Sequence, residues 1–164
     1  MLDGVPAFAL GAYEGALRRA IVAMKHGVRD PLDSFVELLD AAPIAGAIVP
    51  LPTTRSRAAQ RGFDQAVELA RRVARRRGVP CSELLRKRGR PQEGLGRTQR
   101  LHDAGRFALC GTLPQPEVVT LLDDVCTTGA TLRDARAAVH AAGIPVQRII
   151  VLARTRSQER SAGA

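Results

Sequence analysis

The stretch VVTLLDDVCTTGATL (residues 118–132) decides how this chain is read. Its opening, 118–122, is apolar or β-branched and predicts a short buried strand. Such a strand needs neither the adjacent carboxylates of Asp123 and Asp124 nor the three threonines and glycine that follow. Beyond that loop Leu132, Ala135, Val139 and Ala142 recur at helical spacing over 131–142, and Gly143 ends the helix. The order strand, acid pair, polar loop, helix sets the acids at the carboxyl end of the strand. Open parallel sheets bind their ligands there.

The chemistry of the stretch follows from its residue types. Adjacent carboxylates raise each other's pKa and stay ionised only if solvent, hydrogen-bond donors or a cation compensate them. Hydroxyl-bearing ligands or a divalent ion would do so. The small, polar CTTGAT segment precedes a helix, so free backbone amides with the Thr127, Thr128 and Thr131 hydroxyls form a phosphate cradle. Gly129 lets the backbone approach an anion closely. One helix cap would account for a single Asp or Thr, but not for two acids and three threonines around one glycine. Carboxylates for sugar hydroxyls beside amides for a phosphate describe a ribose-phosphate site.

The flanking sequence repeats the alternation of strand and helix. GAIVPLP (46–52) reads as a buried strand closed by prolines. The loop TTRSRAAQRGF (53–63) leads to Asp64, an N-cap for a helix with Ala66, Val67, Leu69, Ala70, Val73 and Ala74 inward. The arginines of 71–77 then face outward, and Gly78 and Pro80 end that helix. The segment RKRGRPQEGLGRTQR (86–100) has no apolar period, and a loop that long in a compact domain carries function or is disordered. RFAL (106–109) and RIIVLA (148–153) read as further strands. Upstream, Leu17, Ala20, Ile21 and Met24 mark a helix stopped by Gly27, and a second runs over 31–41. The expected fold is α/β, a mostly parallel sheet flanked by helices. Residues 1–44 form an N-terminal helical cap outside the core, and 45–164 form the core domain.

Composition bounds the function. The chain has 164 residues, 45% apolar but only 3% aromatic, and no Trp, so aliphatic side chains must build the core. The net charge is +9 and nearly all of the positive charge is Arg, since Lys25 and Lys87 are the only lysines. Arg favours bidentate contact with phosphate and carboxylate, which points to an anionic ligand; solvated helix faces account for the bias equally well. Cys81, Cys110 and Cys126 form no metal-ligand spacing and no disulfide framework. Cys126 is expected as a small filler, and Cys81 and Cys110 as core. No apolar run reaches membrane length and no signal pattern opens the chain, so a cytoplasmic protein is expected by elimination.

LLDDVCTTGAT closely resembles the phosphoribosyl-pyrophosphate (PRPP) signature of type I phosphoribosyltransferases. The chain from about residue 13 to 154 also resembles the ComF family of amidophosphoribosyltransferase-like, competence-associated proteins. The match rests on four motifs in order, the signature together with YEGALRRAIVAMKHGVRD, IVPLPTTRSRAAQRGFDQAVELA and RPQEGLGRTQRLHDAGRFAL. Members often carry an N-terminal Cys-rich zinc-binding segment that MLDGVPAFALGAYEG does not show, so either a short form or a chain from which that segment was trimmed is expected. Some purine-salvage relatives have an acid directly before the Thr-Gly pair; Thr127 stands there, so hypoxanthine or guanine salvage is not implied.

The resemblance implies a type I phosphoribosyltransferase fold and transfer of a phosphoribosyl group from PRPP, with Mg2+ and release of pyrophosphate. Asp123 and Asp124 would bind the ribose hydroxyls, directly or through Mg2+. Thr127, Thr128, Gly129, Ala130 and Thr131 would hold the 5-phosphate. Arg55, Arg57, Arg61 and Gly62 would hold pyrophosphate, with Arg61 favoured as catalytic because it directly precedes the helix that Asp64 opens. Residues 86–100 would form a flexible lid bearing Arg88, Arg90, Gln92 and Arg97. Lys25, at the end of the cap helix, is a candidate for the acceptor site. A homodimer and a competence helicase partner are further expectations. The alternative is a non-catalytic competence accessory that senses PRPP or binds single-stranded DNA through Arg71, Arg75 and Arg76. Few aromatics are available to stack bases, which leaves such a surface only backbone contacts.

Overall fold

The structure is a computed structural model that describes residues 1–88, 106–110 and 116–155. In chain order it contains β1 (Ala7–Ala12), α1 (Gly15–Lys25), α2 (Pro31–Leu38) with a 3-10 turn (Leu39–Ala41), and β2 (Ala47–Pro50). Then come α3 (Arg55–Arg61), α4 (Gln65–Arg77), β3 (Leu85–Lys87) and β4 (Phe107–Leu109). β5 (Val119–Cys126), α5 (Ala130–His140) and β6 (Val146–Arg154) complete it.

Four of these strands pair in parallel in the order β1-β6-β5-β2, and β3 and β4 form a separate antiparallel ribbon. The chain is therefore α/β with a mostly parallel sheet flanked by helices. Both faces of the sheet are covered, which is why its strands read as apolar runs rather than alternating ones. On one face α1, α2 and α4 bury Ile21, Met24, Phe35 and Leu69 against Ile48, Leu122, Ile150 and Leu152. On the other, α5 and the β3–β4 ribbon bury Leu132, Val139, Leu85 and Phe107 against Val49, Leu121 and Val151. Fully burying one such side chain is worth about 1.5–3 kcal/mol. The two N-terminal helices, read as a cap outside the core, are thus part of the layer that covers the first face. The strand preceding them, β1, has no counterpart in the sequence reading and extends the sheet at its outer edge beside β6.

The winding of the chain marks one position in this sheet. From β2 the chain runs through α3 and α4 to Cys81, which bridges in parallel to Ile48 on the outer side of β2. From β5 it runs through α5 on the opposite face to β6, on the other side. β2 and β5 are neighbours, with Ala47 opposite Val119 and Pro50 opposite Leu122, so the connections leave this pair in opposite directions. The crevice outside the carboxyl ends of such a pair is where doubly wound sheets bind ligands. Gly46 permits the close approach that starts this pairing. Its φ is +63°, and a Cβ there would lie 2.0 Å from the Val118 carbonyl oxygen.

Most expected elements appear within a few residues. β5 is longer than the predicted 118–122 strand and runs through both aspartates to Cys126, paired to Arg154 of β6. The cysteines divide differently from expectation. Cys126 is buried, Cys81 is half-buried with its thiol pushed up to about 11 by burial, and Cys110 is exposed at the end of β4 rather than in the core.

Candidate functional site at the β2–β5 switch point

β5 continues through the acid pair, so the pleat turns the two side chains apart, while the carboxylates stay within hydrogen-bond reach of each other at the strand end. Asp124 lies on the face covered by α1, where Oδ2 is 2.9 Å from Nζ of Lys25, the last residue of that helix. Asp123 follows Leu121 towards the β3–β4 side, where the Lys87 charge acts on it. Its carboxylate accepts a 2.8 Å hydrogen bond from the Asp124 amide, and among the described residues it forms no ion pair. Burial, and then the Asp124 charge, push the Asp123 carboxyl up to about 8. The two acids are therefore unequal: one has a counter-cation, and the other holds its proton near neutral pH.

Across from the acids, the loop after β2 and helix α3 supply the opposite charge. A cavity of about 440 Å³ is lined by Lys25, Arg57, Arg61, Lys87, Asp64 and Asp124, with Thr53 and Gln65 in its wall. That volume suits a small polar ligand. The loop is held by Asp64, whose Oδ2 accepts from the Thr53 amide at 2.6 Å and whose Oδ1 accepts from Val67 at 3.3 Å as the N-cap of α4. Burial raises the pKa of Asp64 against the opposing effect of these amides. Arg61 is half-buried, Arg55 and Arg57 are exposed, and Gly62 ends α3. Arg55 does not line the cavity of Arg57 and Arg61; it lines a neighbouring cleft of about 460 Å³ with Ser56, Arg86, Lys87 and Arg88. The three arginines grouped in the sequence are thus split between two spaces that meet at Lys87.

The Thr/Gly loop lies where β5 gives way to α5. Thr127 and Thr128 are exposed, and Gly129 is the left-handed residue that opens the helix, with φ at +77°. A Cβ on Gly129 would also press on the end of the Leu2 side chain, but it is the positive φ that favours glycine here. Thr128 Oγ1 accepts from the Ala130 amide at 3.4 Å. Thr131 Oγ1 accepts from Arg106 Nη1 at 3.0 Å, and Arg106 also pairs with Asp134 at 3.2 Å. The base of the β3–β4 ribbon, where the Arg88 amide donates to Arg106 O at 2.8 Å, therefore abuts this loop. Arg90, Gln92 and Arg97, expected on a lid, lie outside the described residues.

Three residues join the site that sequence reasoning did not single out: Gln65, Lys87 and Arg106. Lys87 and Arg106 are brought in by the ribbon, a pairing across a long insertion that no local pattern announces. Gln65 follows an N-cap Asp at the first turn of a helix, where a polar residue signals nothing unusual.

The arginines of α4 have a different environment. Arg71 bonds Glu83 at 2.8 Å, Arg72 bonds Glu68 at 2.8 Å and Asp33 at 2.6 Å, and Arg76 pairs with Asp40 at 3.2 Å. Arg77 donates to the carbonyl oxygens of Asp40 and Ala42. Most of the row joins α4 to α2 and to the strand edge. Among the described residues, no helix is long and apolar enough to cross a membrane.

Compared with known proteins, the sequence matches no family model and no curated protein.

Proposed function

We propose that the chain is a type I phosphoribosyltransferase-fold protein of ComF-like kind, which binds PRPP at the β2–β5 switch point and transfers its phosphoribosyl group with release of pyrophosphate. One observation carries this reading. Asp124 of the β5 acid pair lines a cavity walled by Arg57 and Arg61, while the same strand runs directly into a Thr/Gly loop at a helix N-terminus. A ligand with ribose hydroxyls between two phosphate groups matches that order of chemistry.

In this reading Asp123 and Asp124 accept hydrogen bonds from the ribose hydroxyls, and the amides and hydroxyls of Thr127 to Thr131 hold the 5-phosphate. Arg57 and Arg61 hold the pyrophosphate and oppose the charge that grows on it as the glycosidic bond breaks. Lys25 pairs with Asp124 and lies on the side from which an acceptor nucleophile would approach. Among the described residues, no cluster of three or more His, Cys, Asp or Glu side chains could hold a metal alone. Two carboxylates beside a phosphate-binding wall instead suit Mg2+, which is held by one or two carboxylates together with ligand phosphates. Magnesium, when bound, neutralises charge on the pyrophosphate oxygens.

The reading of the chain as a single-stranded-DNA accessory is less well supported. Its basic face would be Arg71, Arg75 and Arg76 on α4; Arg71 and Arg76 already meet carboxylates, which leaves the exposed Arg75 as the one member without an ion pair among the described residues.

Calorimetric titration of PRPP with Mg2+ into the wild type and into the Asp123→Asn, Asp124→Asn double variant tests the proposal. Saturable wild-type binding, weakened at least 100-fold in the variant, is the expected result. A wild type that does not bind overturns it.

A further inference from the structure

Gln65 is one of two buried polar side chains among the described residues, with 4% of its surface exposed. The other, Thr120, exchanges hydrogen bonds with the backbone of Ala45 and serves the packing at the start of β2. Gln65 joins two pieces of the candidate site. Its Oε1 accepts from Arg61 Nη1 at 2.9 Å, and its Nε2 donates to Met24 O at 2.9 Å. Met24 directly precedes Lys25, whose Nζ meets Asp124. One amide therefore fixes the guanidinium on one wall of the cavity and the helix end that carries the cation on the other.

Glutamine fits this place where its neighbours in chemistry would not. An apolar residue would leave the Met24 carbonyl with the Gly27 amide alone, at 3.0 Å, and would take from Arg61 the acceptor it now has. Glutamate would accept from Arg61 but could not donate to Met24, and would carry charge into a wall that faces an anion. Asparagine is one methylene too short to span both partners. A long arginine side chain loses rotamer entropy whenever it is held for a ligand, and a hydrogen bond made beforehand removes part of that cost from binding.

We propose that Gln65 is a positioning residue, which holds Arg61 oriented into the cavity and ties that orientation to the α1 end bearing Lys25. The inference rests on the proposed function, since it gives Arg61 a pyrophosphate to meet. Gln65 touches no ligand in this arrangement; it acts through Arg61.

A double-mutant cycle with inorganic pyrophosphate and Mg2+ as the calorimetric probe tests it. Gln65→Met is expected to weaken pyrophosphate binding about 5–10-fold in the wild-type background, and less than 2-fold in an Arg61→Ala background. Equal losses in both backgrounds would mean that Gln65 matters only for packing, and would overturn the inference while leaving the site intact. No loss in the wild-type background would overturn it too. A wild type that binds no pyrophosphate overturns the reading of the site itself, and this inference with it. Should Gln65→Met not fold, NMR of the wild-type Arg61 guanidinium decides the matter. Restricted rotation about its Nε–Cζ bond in the free protein is expected, and free rotation sinks the clasp.

Discussion

Two groups of cationic side chains, one along α4 and one around the cavity, differ in what faces them. Along α4, Arg71, Arg72 and Arg76 each meet a carboxylate of Glu83, Glu68, Asp33 or Asp40. In the cavity, Arg57, Arg61 and Lys87 share a wall with one ion-paired acid, Asp124, while the other acid of the pair, Asp123, has no ion pair among the described residues. The first arrangement is satisfied as it stands. The second leaves positive charge facing a space and a carboxyl held away from its ordinary ionisation. Arginine is common to both, so residue type alone could not separate a helix seam from a binding wall. The partners do.

The largest effect that can break this contrast is loss of the cavity cations. Arg57→Ala with Arg61→Ala is expected to weaken Mg2+-pyrophosphate binding at least 100-fold, about 2.8 kcal/mol, because hydrogen bonds to charged groups are the strong ones. Thermal stability should fall modestly, since Arg57 is exposed and lines open space while loss of Arg61 leaves the buried Gln65 Oε1 without its donor. The corresponding loss in Arg71→Ala with Arg76→Ala should stay under 3-fold. Calorimetry on both double variants decides between them, and a larger loss from the α4 pair would move the anion site to the helix.

The second prediction concerns the acids. Asp123 holds its proton up to about pH 8 when folded, against 3.8 for the unfolded chain. The folded state therefore binds more protons across that window, and stability must fall as pH rises through it. An isolated group would give up to ~1.4 kcal/mol per pH unit; with the charge shared along the Asp123–Asp124 pair, on the order of 2 kcal/mol across the window is expected. Asp123→Asn should flatten the profile and be more stable than the wild type at pH 8. Urea unfolding at pH 5, 6.5 and 8 measures it. A variant that is less stable than the wild type at pH 8 would show that the Asp123 carboxylate is already compensated, which would remove the contrast with α4.

These differences also explain what the sequence could and could not convey. The strand at 118–122, the acids, the Thr/Gly loop and the helix after it are contiguous, so local pattern carries them. The N-cap of Asp64 and the stop at Gly78 are legible for the same reason. β1 is not, because AFALGA is rich in Ala and Gly, poor strand formers, and becomes a strand only through pairing with β6 more than a hundred residues away. The split of Arg55 from Arg57 and Arg61 depends on how a seven-residue helix is set against the β3–β4 ribbon. Gln65 shows the limit most clearly, because the partner that ties it across the site, Met24 on α1, lies 41 residues upstream and nothing near Gln65 names it.

The smallest expected effect tests the seam directly. Arg72 is the α4 arginine with two carboxylate partners, Glu68 one turn back on α4 and Asp33 on α2, and its side chain is 28% exposed. Asp33 is 80% exposed, so solvent screens that half of the network and an exposed pair is worth less than 1 kcal/mol. Arg72→Ala is therefore expected to cost about 0.5–1 kcal/mol, roughly 1–4 °C in melting temperature for a chain of this size. Because the interaction is partly screened, the difference from wild type should shrink in 0.5 M salt, while pyrophosphate affinity at fixed salt stays within 2-fold. Paired calorimetric scans at low and high salt, with a binding titration on the same samples, separate the two roles. If Arg72→Ala left the melting temperature untouched and weakened anion binding instead, the α4 row would be a ligand surface, and its carboxylate partners would be no more than counter-charges awaiting displacement.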